Sequence, residues 1–345
     1  MKTHQVQQKT ERRISAALRL VFVAALLLGQ IALAFFLSTE LRQRAAIIYT
    51  VLELAAFGYA VRIYNRTDGT SYKFGWIFLV LTVPVVGLIL YFLWNGDRQQ
   101  KRLDLKKLPM PEEPEAQQAA HRIQMEKLRR KFPQWERLSV YLSRQGYLLY
   151  GDTETRYLPT GEMFLQDMLE KLEQAEHFIF LEFFIIAQGQ IWDRMEEIFR
   201  RKAAEGVEVK IIFDDFGSMM RFPAGQIEAL RESGVEVQIF NPVHHYVNRL
   251  YFNYRDHRKI VCIDGSTAYT GGANVADEYA NLTVRFGYWK DCGIRLDGPG
   301  AWGLTREFLH MWQRNGGQLM QERDYYRPHD HREAAGFCQP FVDGP

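Results

Sequence analysis

N-terminal transmembrane helices followed by one α/β unit, with a mostly parallel mixed sheet flanked by helices, is the fold class the sequence predicts. Three observations carry it. Three apolar runs stand ahead of Asp97, strand and helix patterns alternate beyond Tyr147, and the apolar run Ile260-Val261-Cys262-Ile263 ends on Asp264-Gly265. A membrane-crossing helix needs about 20 mostly apolar residues. Alternating strands and helices imply a largely parallel sheet covered by helices. Asp-Gly between two extended runs is a hairpin signal.

The first run, residues 20–37, follows Arg12, Arg13 and Arg19 and contains Gln30. It is too long for a secretory leader, and Ser38-Thr39-Glu40 is no small-x-small cleavage site, so it is expected to be an anchor. The second run, 45–61, carries Glu53. The third, 76–94, is free of charge and bounded by Trp76, Tyr91 and Trp94, with Lys73 before it and Arg98, Lys101 and Arg102 after it. Interfacial aromatics and flanking cations are the borders of a membrane span, and Pro84 is tolerable inside one. Both ends of the three spans are basic, so loop charge leaves their orientation divided. Residues 97–146 form a charged, Pro-containing linker and a surface helix, whose basic face is open to anionic lipid or simply to water.

From residue 147 the expected order is helix 163–175, strand 178–186, helix 192–205 ended by Gly206, strand 207–213, helix 226–233 ended by Gly234, and strand 235–240. A strand 289–296 and an amphipathic helix 301–315 close the unit near residue 330. Glu182 lies inside an apolar strand, where a carboxylate needs a partner or a catalytic neighbour. Asp214-Asp215 stands at a strand's carboxyl end, where α/β folds collect functional loops, and His244-His245 is a loop pair without a third placed ligand; each is weak evidence for a metal, and Asp215 is read as structural.

The chemistry is concentrated between residues 253 and 278. Side chains of an extended chain alternate, so Asn253, Arg255, His257 and Lys259 share a face. A neutral imidazole attacks phosphorus and an ammonium offsets charge on the non-bridging oxygens. Gly271 and Gly272 permit close backbone approach to a ligand, and the Asn274 amide can donate to a phosphate oxygen. A lone His-x-Lys pair is more often a solvated charge pair, but this one sits in a longer pattern. A net charge of +2 gives no argument for nucleic acid, and Cys262, Cys292 and Cys338 are too far apart in sequence for a disulfide framework or zinc site.

The pattern His257-x-Lys259, four residues, Asp264, then Gly271-Gly272 and Asn274, resembles the signature of the phospholipase D superfamily. NYRDHRKIVCIDG followed by GGANVADEY is similar to the first catalytic motif of bacterial cardiolipin synthases, and NRTDGTSYKFGWIF with PVVGLILYFLWNG resembles the membrane hairpin preceding their catalytic part. The resemblance covers most of the chain. It implies a basic segment with a first transmembrane helix at 1–44, a membrane hairpin at 45–96, the linker at 97–146, one phospholipase D-like half at 147–330, and the start of a second half at 331–345. It implies phosphatidyl transfer between two phosphatidylglycerol molecules in the cell membrane, on the cytoplasmic side, with no metal or other cofactor and no nucleic acid. His257, Lys259 and Asp264 would be the catalytic residues: His257 would form the phosphohistidine, Lys259 and Asn274 would hold the phosphate, and Asp264 would orient or stabilise the motif. Glu182, Asn253, Arg255, Gly271, Gly272 and Glu278 would support them.

Sites of this superfamily resemble two facing His-x-Lys units, and one occurs here. Either the chain is a fragment or two copies associate as a homodimer. Hydrolysis with water as acceptor, and an inert membrane protein lacking its second motif, stay open beside synthesis.

Overall fold

The computed structural model describes residues 24–25, 28–32, 35, 42–66, 70–94, 115–242, 255–319, 325–326 and 334–342. The chain divides into two units, residues 1–103 with 243–254, and 104–242 with 255–345. Much of the first apolar run, Asn253 and His244-His245 lie outside the described residues.

In the first unit, α1 (Arg42–Tyr64) covers the second apolar run. Its stretch Ile47–Tyr64 has 18 residues, about 27 Å at 1.5 Å each. Among the described residues it is the one helix long and apolar enough to cross a membrane. Ile47, Val51, Leu54 and Phe57 are exposed along it, which water disfavours when the apolar surface is contiguous.

The expectation that 76–94 forms a third span is corrected by the structure. The run is broken into α2 (Thr70–Thr82) and α3 (Pro84–Trp94), of 13 and 11 residues. On one straight helix Trp76 and Tyr91 would stand about 22 Å apart; their ring centroids are 5.5 Å apart. The chain therefore reverses at Val83. Pro84 has no N–H and clashes with the preceding turn, which ends α2. Gly87 lets the two helices close, because a Cβ there would lie 2.5 Å from the Leu79 carbonyl oxygen.

In the second unit, α4 (Glu115–Lys131) and α5 (Glu136–Arg144) precede a seven-stranded sheet. Its strands are β1 (Glu154–Leu158), β2 (Phe178–Phe183), β3 (Glu208–Asp214), β4 (Glu236–Phe240), β5 (Lys259–Ile263), β6 (Thr267–Gly271) and β7 (Gly293–Asp297), in the order β1-β7-β6-β5-β2-β3-β4. The main core joins one face of the sheet to α6 (Gly161–Leu172), α7 (Gln190–Ala204) and, past the single turn α8 (Asp215–Ser218), α9 (Ala224–Glu232). On the other face Phe180 of β2 stacks at 4.8 Å on Phe308 of α10 (Gly300–Arg314).

The alternation of strand and helix predicts the parallel pairs β2–β3 and β3–β4, which are present. The mostly parallel sheet is corrected, because β1–β7, β7–β6, β6–β5 and β5–β2 are all antiparallel. Connection length decides this. Asp264 and Gly265 both take positive φ, 52° and 65°, and Ser266 N donates to Ile263 O at 3.1 Å. So short a turn joins only antiparallel neighbours. The strand expected at 289–296 begins only at Gly293, and β1, which pairs with it, has no alternating pattern of apolar residues to announce it.

Phe183 pairs with Lys259, Ile260 with Thr270, and Gly271 with Gly293. With β3 parallel to β2, the ends of β2, β3 and β6 and the beginnings of β5 and β7 lie at one end of the sheet.

Candidate active site

His257 and Lys259 sit at that end, where the chain enters β5. Central strands fix Lys259: it opens β5 opposite Phe183 and is buried, while His257 two residues earlier is exposed. Lys259 Nζ lies 3.2 Å from His257 Nδ1 and donates to the His257 carbonyl at 2.6 Å. The ring of Phe184 is 4.9 Å from the imidazole and 5.7 Å from the ammonium, walling both on one side.

These surroundings tune both groups. Burial, then the charge of Lys259, holds the imidazole below its ordinary 6.5, so the ring is neutral near pH 7. Burial pushes the Lys259 ammonium down to about 8, against the opposing pull of Asp256 and Asp291. A neutral imidazole thus stands beside a cation with little solvation to lose.

The residues expected around the pair divide into three groups. Asp264 is at the far end of β5, about 16 Å from Lys259 at 3.3 Å per residue. Its carboxylate accepts from the backbone N–H groups of Glu176, His177 and Phe178 at 2.9, 2.7 and 2.8 Å. The expectation that it is catalytic is corrected: it ties the β5–β6 turn to the start of β2. At Gly271 and Gly272 the close approach is made by the chain itself, in the place a side chain would fill. A Cβ on Gly271 would stand 2.6 Å from the Cys292 carbonyl oxygen, and one on Gly272 would overlap the Asp291 carboxylate.

Asn274 is at the correct end and buried, with its amide already engaged. Its oxygen accepts from Ile185 N at 3.0 Å and its nitrogen donates to Tyr279 Oη at 2.8 Å. Arg255 donates to the Asn241 carbonyl at 2.9 Å and pairs with Asp214 at 3.3 Å. Glu278 is buried between Arg221 at 2.6 Å and Arg285 at 3.1 Å. Burial opposes its charge, but the two guanidinium groups hold the carboxyl below its ordinary range.

Glu182 points to the face opposite Lys259. It ion-pairs at 2.7 Å with Arg258, whose guanidinium is also 3.4 Å from Asp256 and 3.9 Å from Glu307 of α10. Three buried carboxylates share one guanidinium. Burial, opposed by Arg258 and reinforced by Asp256 and Glu307, pushes the Glu182 carboxyl well above the ordinary carboxylate range.

Sequence reasoning missed Asp256, Arg258, Asp291 and the role of Asp214. Strand alternation was the available signal: if His257 and Lys259 face one way, Asp256 and Arg258 face the other, toward Glu182. Asp214 ends β3, caps α8 through Phe216 N at 2.8 Å, and accepts from Asp256 N at 3.0 Å. It fastens the segment carrying the histidine to β3. Among the described residues no group of three His, Cys, Asp or Glu side chains is placed to hold a metal.

Two family models match the chain: the cardiolipin synthase, phospholipase D-like domain over residues 168–284, and the phospholipase D-nuclease N-terminal segment over residues 54–95. A Streptococcus mutans protein described only as uncharacterized is 35% identical over 293 residues, 84% of this chain and 62% of its own length. Cardiolipin synthase 2 of Bacillus anthracis is 31% identical over 79% of this chain and 53% of its length. The major cardiolipin synthase of Bacillus subtilis is 29% identical over 72% of this chain and 53% of its length. The chain therefore spans about half to three-fifths of the relatives it matches.

Proposed function

The chain belongs to the phospholipase D superfamily, with bacterial cardiolipin synthases as relatives, and from that premise we propose that it carries the first half of a phosphatidyltransferase site acting on phosphatidylglycerol at a membrane. The observation that supports this most directly is the exposed imidazole, held neutral, in contact with a buried ammonium.

Phosphate oxygens arriving at the site replace the His257 contact of Lys259, which releases the ring nitrogen. That nitrogen attacks the phosphorus of one phosphatidylglycerol, the P–O bond to the headgroup glycerol breaks, and a phosphatidyl-histidine forms. Lys259 offsets charge on the non-bridging oxygens. The glycerol oxygen takes its proton from a general acid, a role left for a second His-x-Lys unit supplied by further chain or by another copy. The primary hydroxyl of a second phosphatidylglycerol then gives its proton to that same group, now a base, attacks the phosphorus, and breaks the P–N bond to the histidine, giving cardiolipin. One phosphodiester is exchanged for another, so no nucleotide is consumed.

In this reading Asn274 acts by holding the loops at Ile185 and Tyr279, with phosphate contact requiring its remaining amide hydrogen. Arg255, Glu278 and Glu182 position backbone, and the membrane helices keep the catalytic unit at its lipid substrate, on the cytoplasmic side.

The test is lipid analysis of membranes carrying the protein expressed from its complete gene. Wild type is expected to yield cardiolipin and free glycerol, and His257→Ala neither. Phosphatidic acid in place of cardiolipin would make water the acceptor and the protein a hydrolase. Undiminished cardiolipin from His257→Ala would remove His257 from the mechanism.

A further inference from the structure

The loop between β6 and β7 leaves and re-enters at the His257 end of the sheet, and its base is tightly built. Asn281, at φ 51°, receives the Trp289 N–H at 2.7 Å and donates to the Trp289 carbonyl at 3.0 Å and to Glu162 at 2.7 Å, so one side chain closes the loop on itself. Trp289 packs on Tyr279 at 4.9 Å. Tyr288 Oη donates to Glu162 at 3.2 Å.

The tip this base presents is apolar. Val284 is 86% exposed and Phe286 78% exposed, with Leu282 exposed beside them. Arg285 stands between them, its guanidinium 5.2 Å over the Phe286 ring and 3.1 Å from Glu278. Glu278 also holds Arg221, next to Met220, which is 64% exposed on the loop after β3. Two loops from the same end of the sheet are thus bridged through one carboxylate, and both project apolar side chains into solvent. A fixed loop that holds aliphatic and aromatic groups in water is a surface awaiting cover.

We propose that the tip formed by Leu282, Val284 and Phe286, together with Met220, docks into the surface of a lipid bilayer and sets the His257 end of the sheet against the headgroups. Three features select a bilayer. Apolar side chains flank an arginine already stacked on an aromatic ring, a combination suited to the boundary of acyl chains and anionic headgroups. The same chain carries α1, long and apolar enough to cross a membrane and exposing Ile47, Val51, Leu54 and Phe57, which fits a bilayer as the neighbouring surface. The substrate class proposed above, on which this inference rests, is itself anchored in a bilayer, and docking lets its phosphate reach Lys259 while its acyl chains stay in lipid.

The test uses the protein from its complete gene, reconstituted in phosphatidylglycerol–phosphatidylcholine vesicles. Cys292 and Cys338 are replaced by Ser, and an environment-sensitive fluorophore is attached through Val284→Cys or, as a control from the opposite end of the sheet, Glu232→Cys. At position 284 doxyl-labelled lipid is expected to quench at least twofold more than at 232, and aqueous iodide correspondingly less. Equal iodide quenching at both positions overturns the proposal. Shielding of 284 from both quenchers also overturns it, by assigning the tip to a protein interface. In parallel, Phe286→Asp is expected to slow turnover of bilayer phosphatidylglycerol about tenfold while leaving water-soluble dihexanoyl phosphatidylglycerol unaffected; equal loss on both would place the loop in the site's own architecture. Quenching needs no turnover, so failure of the catalytic reading and failure of docking give separate results.

Discussion

The two ends of β5 carry residues of one sequence motif and differ in how completely their polar groups are used. At the Asp264 end both carboxylate oxygens accept backbone N–H groups and the turn closes on its own hydrogen bond. At the other end an imidazole is exposed and an ammonium is buried with its pKa displaced to about 8. A strand with every donor and acceptor used at one end can hold under-used groups rigidly at the other, and those groups are available for a substrate. Spacing along a motif is therefore no guide to proximity, because the five residues of β5 separate Asp264 from His257.

Removing each end should break different properties. His257→Ala is expected to lower phosphatidyl transfer by roughly 10³-fold or more, about 4 kcal/mol of barrier at 1.36 kcal/mol per tenfold. Its exposed site should leave the denaturant midpoint within about 0.5 kcal/mol of wild type. Activity assays beside urea unfolding check both parts, and substantial unfolding by His257→Ala would abolish the contrast.

The next largest effect belongs beneath the motif. Arg258→Met removes the one guanidinium shared by Glu182, Asp256 and Glu307 and is expected to cost about 3–5 kcal/mol of stability, as for other broken buried ion pairs. Glu182→Gln should cost less than Arg258→Met, since it leaves Arg258 its contacts with Asp256 and Glu307. The sign of its pH dependence follows. A carboxyl whose folded pKa is raised contributes stability that is full below the unfolded value and lost as pH rises through the folded one. Wild type should therefore weaken more than Glu182→Gln does as pH rises from the ordinary carboxylate value of 4.5, which urea unfolding from that pH upward would read.

Much of this was legible in the sequence, and the gaps have physical causes. The β2-to-β4 half was readable because each strand is an apolar run between helices with glycine stops. The antiparallel half depends on pairing among distant segments, above all β1 with β7, which local pattern does not encode. The third apolar run has a membrane span's composition, but a single proline with a glycine three residues later turns it back on itself. In the site, strand alternation puts His257 and Lys259 side by side, and the structure has them in contact at 3.2 Å. Asp264 was assigned by its place in a motif, without counting the length of strand between. Arg258 was passed over because an arginine between a histidine and a lysine looks like more surface charge.

Asp264→Ala attacks the satisfied end. Losing three hydrogen bonds to a charged acceptor and placing Ala at φ 52° should cost about 2–3 kcal/mol. Activity per folded molecule should stay near wild type, because no atom at the His257 end has moved. Asp264→Asn, which tolerates the left-handed conformation and keeps one acceptor, should recover part of the stability. A fall in activity that outruns the fall in folded fraction would mean that Asp264 reaches the chemistry after all.

The smallest expected effect is the most discriminating. With His257 held below 6.5, transfer should rise with pH along a limb below that value, as the imidazole loses its proton and becomes a nucleophile. With Lys259 at about 8, it should fall again above pH 8 as the charge facing the phosphate is lost; at pH 9 about one lysine in ten remains charged. Lys259→Arg keeps its charge throughout, so its profile should lose the alkaline limb and keep the acid one, whatever its absolute rate. Asp264→Asn, measured on its folded fraction, should keep both limbs in place, since its charge lies about 16 Å along the strand. A displaced limb in Asp264→Asn would show that the two ends of β5 are electrically coupled, and the division between a building end and a reacting end would no longer hold.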